Sequence, residues 1–92
     1  MPLTKAERIE YQAVIERCNG VSELGGGTPI CIHHIIGRRN GTTHRLNLIA
    51  LTPKEHDLVH SDTKHWTNIL LEMNGTTRDE CTKKSKYAEF KF

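Results

Sequence analysis

Cys31-Ile32-His33-His34-Ile35-Ile36 is followed, past a loop, by Leu46-Asn47-Leu48-Ile49-Ala50-Leu51 and then at once by Thr52-Pro53-Lys54-Glu55-His56-Asp57-Leu58-Val59-His60. The first two runs are short, apolar and rich in β-branched residues. Asn40-Gly41 between them is a turn signal, so they read as strands 31–36 and 46–51 of a hairpin with a long, basic loop. Threonine followed by proline is a favoured helix start, and Glu55 and Asp57 suit the positive end of a helix dipole. The third run is therefore a helix near 53–61. A strand-turn-strand-helix unit of this kind folds back and brings its first strand beside the start of its helix.

Working outward, Thr4 with Glu7 has capping-box spacing, and Ile9, Ala13, Val14 and Ile15 recur at near-helical intervals up to Cys18, with Asn19-Gly20 as a stop. That predicts a first helix over 5–18. Gly25-Gly26-Gly27 and Pro29 then form a loop delivering the chain into the hairpin. Beyond the 53–61 helix, a third helix from about Asp62 gathers Trp66, Ile69, Leu70 and Met73 on one face before Asn74-Gly75, and Trp66, Leu70 and Met73 are expected to be mostly buried. Thr77 and Glu80 offer a further capping box, for a last helix over 78–86 that ends in Lys83, Lys84 and Lys86.

A chain of 92 residues, 36 % of them hydrophobic, supports one domain with a thin core. The expected organisation is a single domain over 1–92, with a helix and Gly-rich loop in 1–29, the hairpin–helix core in 30–61 and helices with a basic tail in 62–92. Large multi-layer enzyme folds are excluded by size. Leu3 to Val14 is too polar for a secretory segment, and no run approaches the ~18–20 apolar residues of a membrane span, so the expected setting is soluble and intracellular. Cys18, Cys31 and Cys81 are odd in number and lack a C-x-x-C pair, which points to reduced thiols rather than a disulfide framework or a four-cysteine zinc site. The net charge is only +2, but Arg38, Arg39 and Arg45 lie in a stretch free of acids.

All six histidines fall between His33 and His65. For His44 and His65, ordinary polar surface roles suffice. His56 and His60, four apart on a helix, project from one face and can share a metal ion, and the hairpin carries His33 and His34 towards them. Asn47 interrupts an apolar strand, which is costly unless its carboxamide bonds the loop backbone. Guanidinium groups at Arg38, Arg39 and Arg45 suit bidentate contact with phosphate, whereas the lysine cluster reads first as a solvated face.

The run Ile32-His33-His34-Ile35-Ile36, the Asn47-to-His56 segment with its spacing, and the helical pair His56 and His60 together resemble the HNH, or His-Me finger, endonuclease motif. The likeness is to the nuclease domains of DNase colicins and to small phage-encoded HNH nucleases, and it covers residues 32–60. It implies an α+β fold with a ββα-metal core flanked by helices. It further implies His33, His56 and His60 as ligands of one divalent ion, His34 as general base and Asn47 as the residue that orders the hairpin loop. All-imidazole ligation favours zinc or nickel, with magnesium or manganese as alternatives for activity. The implied partner is double-stranded DNA read with little base specificity, gripped by Arg38, Arg39 and Arg45, with no membrane partner and a phage or host DNA-processing protein as a further one. The implied setting is the cytoplasm of a bacterial host.

Two adjacent residues on a regular strand face opposite ways, so His33 and His34 reach one site only if the hairpin is twisted or bulged; otherwise His34 packs on the first helix. Two other classes compete. His56-Asp57-Leu58-Val59-His60 is one methylene away from the H-E-x-x-H of zinc proteases, but Asp57 is too short for the catalytic glutamate and the chain too small for a substrate cleft. The same histidines could instead hold a structural zinc in a non-catalytic DNA- or protein-binding module, a role that does not require His34.

Overall fold

A computed structural model describes residues 3–82, and Lys83, Lys84 and Lys86 lie outside them. The elements are α1 (Lys5–Cys18), β1 (Cys31–His34), a 3-10 turn over Arg45–Asn47, β2 (Leu48–Leu51), α2 (Pro53–Ser61), α3 (Thr63–Met73) and α4 (Arg78–Cys81). This is a small α+β arrangement around one antiparallel hairpin, in which Cys31 pairs with Leu51, Ile32 with Ala50, His33 with Ile49 and His34 with Leu48. No helix among the described residues is long and apolar enough to cross a membrane.

Local chemistry starts each helix. The Thr4 and Thr52 hydroxyls accept from the Glu7 and Glu55 backbones while those glutamates return a carboxylate to the cap, and Pro53 occupies the first turn of α2. Glu55 does more than cap. Its carboxylate also accepts from the Ser22 hydroxyl, which fixes the Gly-rich loop against the start of α2.

Every residue of β2 is fully buried, because the strand is covered on both faces. Leu48 and Ala50 pack with Val14 and Cys18 of α1, whereas Ile49 and Leu51 pack with Val59, Leu70, Leu71 and Cys81 of the other three helices. A buried strand must also satisfy its backbone on both edges. β1 serves one edge, and side chains serve the other. The Ala50 N–H donates to the Glu23 carboxylate at 2.9 Å, Arg17 donates to the Leu48 carbonyl, and Asn74 donates to the carbonyls of Leu46 and Leu48.

Both strands are shorter than the apolar runs suggest. Ile35 and Ile36 leave the ladder because Asn47 takes over: its backbone carbonyl accepts from Ile35 N–H, its Oδ1 accepts from Ile36 N–H at 2.8 Å, and its Nδ2 donates to the carbonyls of Ile36 and Thr42. Leu46 and Asn47 belong to a 3-10 turn whose start is capped by the His44 ring.

Three further expectations are corrected. Met73 is 46 % exposed rather than buried, since α3 turns Thr67, Leu70 and Leu71 inward and leaves Trp66 half-buried at the core margin. On α1 the inward stripe is Glu10, Val14 and Cys18, with Ile9 and Ile15 outward. The last helix stops at Cys81, because Thr82 is extended and pairs with Gly41 while the Cys81 carbonyl accepts from Thr42 N–H. All three cysteines are free thiols.

Glu10 is the buried acid in that stripe. It accepts from the Arg45 backbone N–H, Nε and Nη2 at 2.9, 3.0 and 3.1 Å and so ties α1 to the hairpin loop. Burial pushes its carboxyl up, but the hydrogen bonds and charge of Arg45 outweigh this and hold it below the ordinary carboxylate value of 4.5. A carboxyl lowered on folding contributes stability above its unfolded pKa and loses that contribution as the pH falls through the folded one. Glu10→Gln is therefore expected to lower stability at neutral pH and to flatten the acid limb of unfolding free energy against pH, measured by denaturant titration. A Cβ on Gly41 would overlap the Ile36 carbonyl and the Asn47 carboxamide. Gly41→Ala is expected to cost about 1–3 kcal/mol, as overpacking of a tight site does, read from the same titrations.

Candidate metal centre

His33 faces α2 because its partner Ile49 faces the α2–α3 side of the hairpin. From α2, His56 and His60 stack one turn apart towards it. The three rings meet edge to face, with centroids 5.0 Å apart for His33–His56, 5.6 Å for His33–His60 and 4.4 Å for His56–His60. One nitrogen from each lies within 4.8 Å of the others. The Nε2 atoms of His56 and His60 are 3.1 Å apart. That separation suits an N–H···N hydrogen bond, and it equally suits two lone pairs aimed at one cation, because tetrahedral bonds of ~2.05 Å place two nitrogens about 3.3 Å apart.

Exposure grades across the cluster, from buried His33 through half-buried His56 to exposed His60. Burial, reinforced by charge on His56, His60 and His34, pushes the His33 imidazole down to about 4. At neutral pH it is therefore unprotonated, with a lone pair to give. The donor set of three imidazoles fits a transition-metal ion, since imidazole suits such ions whereas magnesium prefers oxygen. Among the described residues no fourth histidine, cysteine or carboxylate joins the group.

His34 faces the opposite side of the strand, as regular alternation requires. The pairing is unbulged from Cys31 to His34, so no bulge brings the two histidines together. They meet because both border the same edge of the hairpin. A groove of about 300 Å³ is lined by Tyr11, His33, His34, Arg38, His56 and His60. The His34 ring lies 6.2 Å from the Tyr11 ring of α1, and its Nε2 is 3.0 Å from the Thr43 hydroxyl. That hydroxyl donates to Glu7 Oε2 at 3.2 Å.

The arginines divide. Arg38 lines the groove, is 60 % exposed at its side chain and also reaches Glu7 Oε2 at 3.3 Å. Arg39 is exposed on the same loop. Arg45 is committed to Glu10 and borders a different groove along α1, so the structure does not bring it to the histidines. His44 caps the 3-10 turn and lies 3.8 Å from Glu10, and the His65 ring meets Trp66 edge-on. Neither joins the cluster. Thr43 and Tyr11 carried no signal in the sequence, and Glu7 announced itself only as a helix cap.

Compared with protein-family models, with curated proteins and with solved structures, the chain finds no match.

Proposed function

We propose that the protein is a metal-dependent endonuclease of the HNH type that hydrolyses phosphodiester bonds of DNA, with residues 30–61 acting as its ββα-metal core. The observation that carries the reading is the convergence of His33, His56 and His60 in a groove that also holds His34, a fourth imidazole turned away from the triad. A structural zinc site is closed by four protein ligands, whereas a catalytic one keeps a position open. Three ligands graded from buried to exposed, with a further imidazole and Arg38 around the same groove, favour catalysis over the structural alternative.

His33, His56 and His60 would hold a divalent ion, which when bound would supply Lewis acidity for phosphodiester hydrolysis. The chain supplies the rest. His34 takes a proton from the attacking water, a task suited to an imidazole whose ordinary pKa lies near working pH. The water oxygen bonds to phosphorus, the bond to the sugar oxygen breaks, and that oxygen takes its proton from solvent. Arg38 and Arg39 hold the backbone through phosphate oxygens. Asn47, fully buried, keeps the loop carrying these arginines in register with His34. Contacts of this kind read no bases, so weak sequence preference follows.

Incubating metal-stripped protein with supercoiled plasmid and zinc, nickel, magnesium or manganese tests the reading. Conversion to nicked or linear DNA with at least one ion is expected, and none with any ion would overturn it. His34→Ala should keep metal content and DNA affinity yet lose about 10²–10⁴-fold in cleavage rate, the usual share of a positioned base. His56→Ala should lose metal and cleavage together, checked by metal analysis of the same preparation. Replacing Arg38 and Arg39 by alanine should weaken binding to unrelated sequences equally and flatten its salt dependence, measured by fluorescence anisotropy.

A further inference from the structure

A neutral imidazole accepts a proton only through the nitrogen that lacks a hydrogen, so the tautomer of His34 decides which of its atoms can act. Its Nε2 lies 3.0 Å from the Thr43 hydroxyl. Threonine has one hydroxyl hydrogen, and Thr43 gives it to Glu7 Oε2. Glu7 can only accept there: the Thr4 backbone N–H above all, helped by the Thr43 and Thr4 hydroxyls and the Arg38 charge, holds its carboxyl below the ordinary value despite some burial. With that hydrogen engaged, the Thr43 oxygen is left to accept, and the His34 ring must donate.

From this geometry we infer that Glu7 and Thr43 form an orienting relay that fixes His34 as its Nε2–H tautomer. No proton travels along the relay. Glu7 and Thr43 are positioning residues, and their catalytic consequence rests on the nuclease reading above, whereas the tautomer does not. Glu7 is anchored independently of His34, since its Oε1 accepts from Thr4 N–H at 3.0 Å in the capping box and Arg38 reaches its Oε2. The first helix thus holds the relay's outer end in place.

The tautomer is read by two-bond ¹⁵N–¹H correlation spectra of the labelled protein in mildly alkaline buffer, with and without zinc, the His34 signals being assigned by their loss in His34→Ala. Wild type is expected to show Nε2–H. In Glu7→Gln the amide oxygen keeps the cap on Thr4, so its NH₂ faces Thr43 and turns that hydroxyl round. The His34 signals should then move towards Nδ1–H. Thr43→Val, which removes the partner altogether, should give a mixture of tautomers and lower kcat about 10–100-fold, the range seen when an orienting partner is lost, with KM and metal content unchanged. Thr43→Ser should restore both the spectrum and the rate. If Thr43→Val does not fold, Glu7→Gln makes the same test with the cap intact. Nδ1–H in the wild type, or spectra unmoved in Glu7→Gln, would overturn the relay even in a protein that cuts DNA. Nε2–H in a protein inactive with every ion would keep the relay and remove the nuclease reading.

Discussion

Burial of a four-residue strand on every side is the constraint on which the rest of this structure depends. Leu48–Leu51 has helices on both faces, β1 on one edge, and on the other side chains together with the Glu23 backbone N–H, which donates to the Ala50 carbonyl. Among the described residues no third strand covers that edge, and Glu23, Arg17 and Asn74 satisfy it from a loop, α1 and the cap of α3. All three lie far in sequence from the strand, and their convergence locks the loop after α1, α1 itself and the end of α3 onto it. The hairpin register is held firmly as a result, since a one-residue slip would exchange the two buried faces and strand all three partners.

Register in turn decides the geometry of the histidines. Because β1 is paired without a bulge, His33 and His34 face opposite helices, and the two kinds of chemistry separate by face. The α2 side gathers three imidazoles with, among the described residues, no carboxylate in the group, a donor set close enough to hold a cation. The α1 side gathers Tyr11, Thr43 and Glu7, polar groups that orient a ring. The groove at the hairpin edge is where the two environments meet. An architecture of this kind lets each imidazole be tuned by a different helix, which adjacent histidines on one face could not achieve.

Much of this was legible in the sequence because it is local. Helix caps at Thr4, Thr52 and Thr77, the Pro53 start and the Asn19-Gly20 stop all act within a few residues. The His56–His60 spacing is likewise a property of one helix. What escaped is what depends on distant partners. Glu55 read only as suiting the start of its helix, and Glu10 and Glu23 gave no signal, yet each bonds a group well removed in the chain. Arg45 read as a phosphate contact because nothing in its neighbourhood is acidic, and its acid arrives from α1. The choice of Leu71 over Met73 as the inward residue of α3 turns on a rotation of less than one helical turn, which a stripe of apolar residues cannot fix.

The contact between the loop and the segment after α4 also imposes an order on assembly. Gly41 pairs with Thr82 and Thr42 donates to Cys81, immediately before Thr43. The ribosome makes His33, His56 and His60 well before it makes Cys81 and Thr82. A nascent chain can therefore close the unit that gathers three imidazoles while the loop beside His34 still lacks its last backbone partners. The half of the groove beside His34 thus draws on residues late in the chain, whereas the three imidazoles of the other half all lie within 33–60.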